Sequence, residues 1–264
     1  MAVDLVGGCR VSAMREGTPH VVGSLSIWDQ VGKATGAKAV SMRILEFGVG
    51  LSPGLRNQDS DEVLYVLEDL DDPAKPKRCT VFVDGRPYRV QPQTGIYIRP
   101  GQTFMLDNPG PEAIVLVSSQ CPESAAGDKG IVPLSLVELV FTDAKGPEQS
   151  SIVRLTDRRE MPTADRWYRV LVDHEIGSDQ VTQFVGSIPP GRAPDHFHEY
   201  EEVLFILRGT GRMWTGESST PIGPGSCVYL PRGQVHCVEN TGDGELRLLG
   251  VFYPAGSPAI RYDP

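Results

Sequence analysis

Gly191-Arg-Ala-Pro-Asp-His196-Phe197-His198-Glu-Tyr-Glu-Glu202-Val-Leu-Phe-Ile-Leu-Arg-Gly209 is one of two stretches that decide the fold. The other is Gly225-Ser-Cys-Val-Tyr-Leu-Pro231-Arg-Gly233-Gln-Val-His236-Cys-Val-Glu-Asn240. Residues i and i+2 of an extended chain share a face, so His196 and His198 can aim the same way. Glu202 lies at an even offset from both. It heads the apolar run Val203-Leu204-Phe205-Ile206-Leu207, which reads as a buried strand closed by the turn glycines Gly209 and Gly211. His236 follows a second strand and turn, Cys227–Leu230 then Pro231-Arg-Gly233. Three imidazoles and a carboxylate suit a divalent first-row transition metal. A lone His-x-His is equally consistent with two solvated histidines; four candidate ligands in two matched contexts are not.

With these residues in place, the chain resembles the cupin superfamily. Residues 225–240 follow that family's second motif throughout. The first motif fits from His196 onward, with four residues between Gly191 and His196 where the family has five. The resemblance implies a small antiparallel barrel of the jelly-roll, double-stranded β-helix kind. It also implies a metal held by His196, His198, Glu202 and His236, with Asn240 and the glycines in structural roles.

A second, silent copy lies upstream. Val90–Asn108 runs without a gap beside Ile222–Asn240, and Glu62-Val-Leu-Tyr-Val-Leu67 parallels Glu202-Val-Leu-Phe-Ile-Leu207. The expected fold is therefore all-β, two tandem cupin-type barrels. Residues 1–140 form a first barrel with a degenerate motif, and 150–264 a second with an intact one. In the first, Arg56, Gln58 and Phe104 stand where His196, His198 and His236 stand; only Glu62 remains. A guanidinium and a phenyl ring offer a cation no lone pair. The first barrel is read as structural support. Its alternative is an anion pocket, which requires Arg56 to face inward. Asp59 and Asp61, beside a turn, are read as solvated.

The turn-rich segments 122–130 and 143–151 place the boundary between Pro122 and Pro162. Ile131–Thr142 has strand character, Ile152–Glu160 suits a short helix, and Arg166–Val172 opens the second series of strands. A net charge of −9 without a basic patch argues against nucleic acid. No stretch is long and apolar enough for a membrane span. Five widely spaced cysteines and a start lacking a secretory pattern lead to an expectation of reduced thiols and a cytoplasmic location. Cys237 should point away from the metal as packing, and His20 and His174 read as surface residues.

One divalent ion (manganese, iron, nickel or zinc) can polarise a carbonyl, acidify water or bind a chelating ligand. The first expectation is a metal-dependent enzyme on a small oxygen-rich metabolite, since the family includes dioxygenases, isomerases and hydrolases. The alternative is a non-catalytic small-molecule-binding or sensor protein. The resemblance also raises a homodimer paired through outer strands. Arg212, Met213, Trp214, Tyr229 and Gln234 are candidate cavity residues. Glu199, Glu201 and Glu239 neighbour ligands, but none stands out as a general base.

Overall fold

A computed structural model describes residues 1–70, 78–123, 131–132, 151–260 and 262. The chain folds into two β-barrels, each made of a large sheet facing a smaller one. In the first, seven strands run in the order Ile152–Arg154, Thr94–Ile98, Asp61–Val66, Ile114–Cys121, Met42–Phe47, Leu25–Val31, His20–Val22. They face a sheet containing Cys79–Val83 and Thr103–Asn108. In the second, the large sheet centres on Glu201–Arg208, between Ser226–Leu230 and Leu246–Tyr253, and faces a sheet built on Gly211–Thr215 and Cys237–Asn240.

The apolar runs lack alternation because both faces of each large sheet are buried. Leu64 and Val66 point into the first barrel, with Leu45, Phe47 and Phe104. Val63 and Tyr65 point the other way, onto Val185, Val203, Phe205 and Leu249 of the second large sheet. Leu204, Ile206, Leu248 and Phe252 fill the second barrel. The two barrels thus share a central apolar layer.

Hydrogen bonding crosses the sequence division in both directions. Arg10–Ala13 pairs with Ser226–Leu230 of the second barrel, while Ile152–Arg154 pairs with Thr94–Ile98 of the first. Each barrel is edged by the strand that precedes the other. The helix expected over 152–160 is instead this short strand and a single 3-10 turn, Leu155–Asp157, because the open edge of Thr94–Ile98 takes up its backbone groups. Ile131–Val132 pairs with Gly54–Arg56 as a strand; residues 133–142 of that expectation lie outside the described residues, as do residues 71–77 of the polar loop.

The repeat shows in details as well. Asn108 donates to the carbonyls of Phe47 and Glu112, and Asn240 to those of Ile188 and Gly244. The acid preceding the motif glutamate is buried near the junction in both barrels, and in the second it grips the first directly. Glu201 accepts the backbone N–H groups of Lys38, Ala39 and Val40 at 2.9, 2.7 and 3.1 Å, together with the Tyr229 hydroxyl. Asp61 accepts the Tyr97 hydroxyl, and Arg99 reaches the Ile176 carbonyl at 2.8 Å. Asp61 is therefore buried, not solvated as its turn-side position suggests.

Inside the first barrel, Glu62 is answered by protein. Arg43 Nη2 lies 2.6 Å from Glu62 Oε1, Ser118 Oγ donates to the same oxygen at 2.6 Å, and Gln120 Nε2 lies 3.2 Å from Oε2. Both charged side chains are almost fully buried, at 5% and 6% exposure. Arg56 is exposed and donates to Thr103 Oγ1, so the inward-facing anion pocket is not formed around it.

Two measurable consequences follow from these contacts. Glu201→Ala should cost about 2–3 kcal/mol in urea unfolding, since it strips a charged acceptor from three amides at the junction. Arg43→Met should cost about 3–5 kcal/mol by stranding Glu62, with much of the loss recovered in Arg43→Met/Glu62→Met. Additive losses in that double variant would show that the pair is not the buried unit described.

Candidate metal centre

His196 and His236 face each other across a two-residue antiparallel bridge, with reciprocal N–H···O bonds of 3.0 and 2.8 Å. His198 follows, and its carbonyl accepts the Gly233 amide at 2.8 Å, tying it to the Pro-x-Gly turn. The His-x-His stretch is thus a bridged loop entering the strand Glu201–Arg208, not the strand that simple alternation suggests. The three imidazoles still converge: their ligand atoms lie within 4.8 Å of one another. Glu202 Oε2 lies 3.7 Å from His198 Nε2 and 3.9 Å from His236 Nε2.

Outer contacts orient the rings. His196 Nδ1 lies 3.0 Å from the Pro194 carbonyl and His236 Nδ1 2.8 Å from that of Gln234. A carbonyl only accepts, so these Nδ1 atoms carry the proton and each Nε2 keeps its lone pair. His198 Nδ1 lies 3.1 Å from the Tyr200 hydroxyl. Burial lowers the imidazole pKa of His198 to about 4 and of His236 to about 3, with the neighbouring His196 acting in the same direction. Burial also raises the Glu202 carboxyl to about 8. His198 and His236, both neutral, cannot supply the positive charge that a buried carboxylate needs.

The contrast with the first barrel is specific. Glu62 pairs across the sheet with Gln120, and Ser118 with Arg43; Glu202 pairs with Phe252, and Gly250 with Phe184. The second barrel therefore has phenyl rings and a glycine where the first has a guanidinium, an amide and a hydroxyl. Gly250 is required there, because a Cβ at that position would sit 2.2 Å from the Phe184 ring. The donor set and its missing counter-charge fit a divalent cation.

These residues open onto a cavity of about 100 Å³, walled by Phe184, Leu204, Val238, Leu248 and Phe252, with Arg166 and Tyr168 also in its lining. The sequence did not point to this wall. Of the five candidates, Met213 is core, and Tyr229 serves the barrel junction. Trp214 donates to Glu239 and stacks beneath Arg192, while Arg212 donates to Ser219. Gln234 donates to the Val235 carbonyl. None of the five lines the cavity. Glu199 pairs with Arg232 outside, and Glu201 with the first barrel, so neither serves as a base here. Strand alternation from Leu204 could have located Phe184 and Phe252 only with the pairing register known. Cys237 is buried beside Arg192 and is not among the cavity's lining. All five cysteines are buried and free, while His20 and His174 are exposed.

Comparison with known proteins agrees with the geometry. A family model described as a cupin domain matches residues 184–252. The oxalate-binding protein of Thermotoga maritima is 36% identical over 67 residues, which cover 25% of this chain and 55% of that one. Auxin-binding protein 1 of Arabidopsis thaliana is 30% identical over 86 residues, covering 29% of this chain and 43% of the relative. The chain spans about half the length of these curated relatives. Among solved structures, a variant of Bacillus subtilis oxalate decarboxylase superposes with a TM-score of 0.70 at 14% identity, over 94% of this chain and 78% of that one. That likeness is one of fold, and it takes in both barrels. No helix among the described residues is long and apolar enough to cross a membrane. Residues 184–252 thus match a cupin domain, and the chain as a whole has a fold of two cupin-type barrels.

Proposed function

We propose that the second barrel holds one divalent transition-metal ion through Nε2 of His196, His198 and His236 and the carboxylate of Glu202, and that a small organic acid binds beside it. The observation that carries this reading is the buried Glu202, which has the neutral imidazoles of His198 and His236 at 3.7 and 3.9 Å and, among the described residues, no guanidinium paired to it as Arg43 is to Glu62. When bound, such an ion supplies Lewis acidity and an open position for a chelating oxygen ligand.

The chain's own residues set what can enter. A cavity of about 100 Å³ with aromatic and aliphatic walls admits only a small molecule. Arg166 gives it a cation; among the described residues its side chain is engaged only through Nε, by Asp165 at 3.1 Å. The Nη groups can take a carboxylate in a charge-assisted pair. Similarity to an oxalate-binding protein supports a compact dicarboxylate as the ligand type. A second reading, binding without turnover, is favoured by the cavity lining, which offers no carboxylate or imidazole beyond the four ligands among the described residues.

Calorimetric titration of oxalate and of uncharged oxamide into manganese-loaded, metal-free and His196→Ala protein tests the proposal. Oxalate should bind the loaded protein alone, and Arg166→Ala should weaken it roughly tenfold or more, the loss of one charged hydrogen-bond pair. Equal binding with and without metal would refute the reading. Carbon dioxide release or dioxygen uptake in the same samples separates an enzyme from a binding protein.

A further inference from the structure

The segment from Pro254 to Ile260 leaves the last strand and crosses the mouth of the second barrel. Three contacts fix it. Thr182 Oγ1 donates to the Gly256 carbonyl at 2.9 Å and lies 3.2 Å from the Gly256 amide as its acceptor. The Ser257 carbonyl accepts the Tyr200 hydroxyl at 3.3 Å. Beyond it, Tyr262 exchanges two backbone hydrogen bonds with Phe197, at 3.0 and 3.1 Å, and their rings stack with centroids 5.4 Å apart. Phe197 stands between His196 and His198, so the strap is fastened to the metal-binding loop itself. Pro258 lines the cavity.

Tyr200 joins strap and site. Its ring stacks on His198 at 4.8 Å and 12°, and packs on Phe252 at 4.2 Å. Gly256 makes the approach feasible, since a Cβ there would lie 2.6 Å from the Tyr200 ring. The phenol has two neighbours, His198 Nδ1 at 3.1 Å and the Ser257 carbonyl at 3.3 Å, and only one proton to give. Given to Nδ1, it would leave the imidazole proton on Nε2 and block the lone pair that faces Glu202. Given to Ser257, it leaves the phenolic oxygen to accept Nδ1–H, and Nε2 is free.

We propose that Tyr200 is a positioning residue for the metal centre, and that the C-terminal strap, through the Ser257 carbonyl, selects the His198 tautomer able to bind metal. Of the three imidazoles, His196 and His236 are set by carbonyls of their own loops, at Pro194 and Gln234. His198 reaches through the Tyr200 side chain to a distant segment. Displacing the strap therefore releases the His198 tautomer and loosens the loop at Phe197, which makes strap docking and metal affinity mutually dependent.

This inference rests on the metal reading above, and its test separates the two. Cobalt(II) affinity and visible absorption would be measured on the full chain, for the unaltered protein, Tyr200→Phe and Thr182→Val, with melting of each metal-free form alongside. Tyr200→Phe keeps the stacked ring and removes the relay; affinity should fall about 10–100-fold, the usual range for an outer partner of a ligating histidine. Thr182→Val, remote from the ligands, should shift affinity in the same direction and alter the cobalt spectrum through the strap alone. A merely structural role would lower metal-free melting and leave affinity and spectrum unchanged, which overturns the proposal. Cobalt uptake failing in the unaltered protein would overturn the metal reading, and this inference with it.

Discussion

A buried glutamate at the head of the central strand of each barrel needs a positive partner, and the rest of the molecule is arranged by how that need is met. In the first barrel Arg43 reaches Glu62 at 2.6 Å, with Ser118 and Gln120 completing the oxygens. The charge is neutralised by an ion pair within the chain, and the glutamate's oxygens are taken up by protein donors. In the second barrel the matching wall is Phe184, Gly250 and Phe252, and Glu202 faces only imidazoles. One scaffold thus carries two solutions: a tethered guanidinium that closes a barrel, and a donor set suited to a mobile cation that leaves a cavity beside it.

Coupling between the barrels follows from the same strands. Val203 and Phe205, adjacent to Glu202 along the chain, pack into the shared apolar layer, while Leu204 and Ile206 face the second barrel's interior. Glu201 fixes the start of that strand to amides 38–40 of the first barrel. Residues 10–13 pair along the flank of Ser226–Leu230, the strand that leads toward His236. The first barrel supports the site without lining it: the cavity's walls come from the second half of the chain.

Much of this was legible in the sequence, and the rest was illegible for identifiable reasons. The ligand residues, the repeat and the lost first motif can be read because they depend on residue type at short spacing. Val203–Leu207 reads as a buried strand because its lack of alternation reflects burial on both faces. The strand exchange cannot be read, since pairing of residues 10–13 with 226–229 is set by an edge more than two hundred positions away. Arg43 gives no local sign of its role; in sequence it is one charged residue in a strand, and only the register opposite Ser118 brings it to Glu62. Phe184 and Phe252 were missed likewise, while the nearer candidates Trp214 and Tyr229 are used for outer stacking and for the barrel junction.

Metal content per chain is the most direct test of the idea that the two glutamates are neutralised differently. Elemental analysis of the purified protein, after saturation with manganese and removal of excess, should give about one equivalent for the unaltered chain and none for Glu202→Gln, with Glu62→Gln unchanged at one. Two equivalents, or loss of the ion in Glu62→Gln with retention in Glu202→Gln, would contradict the account.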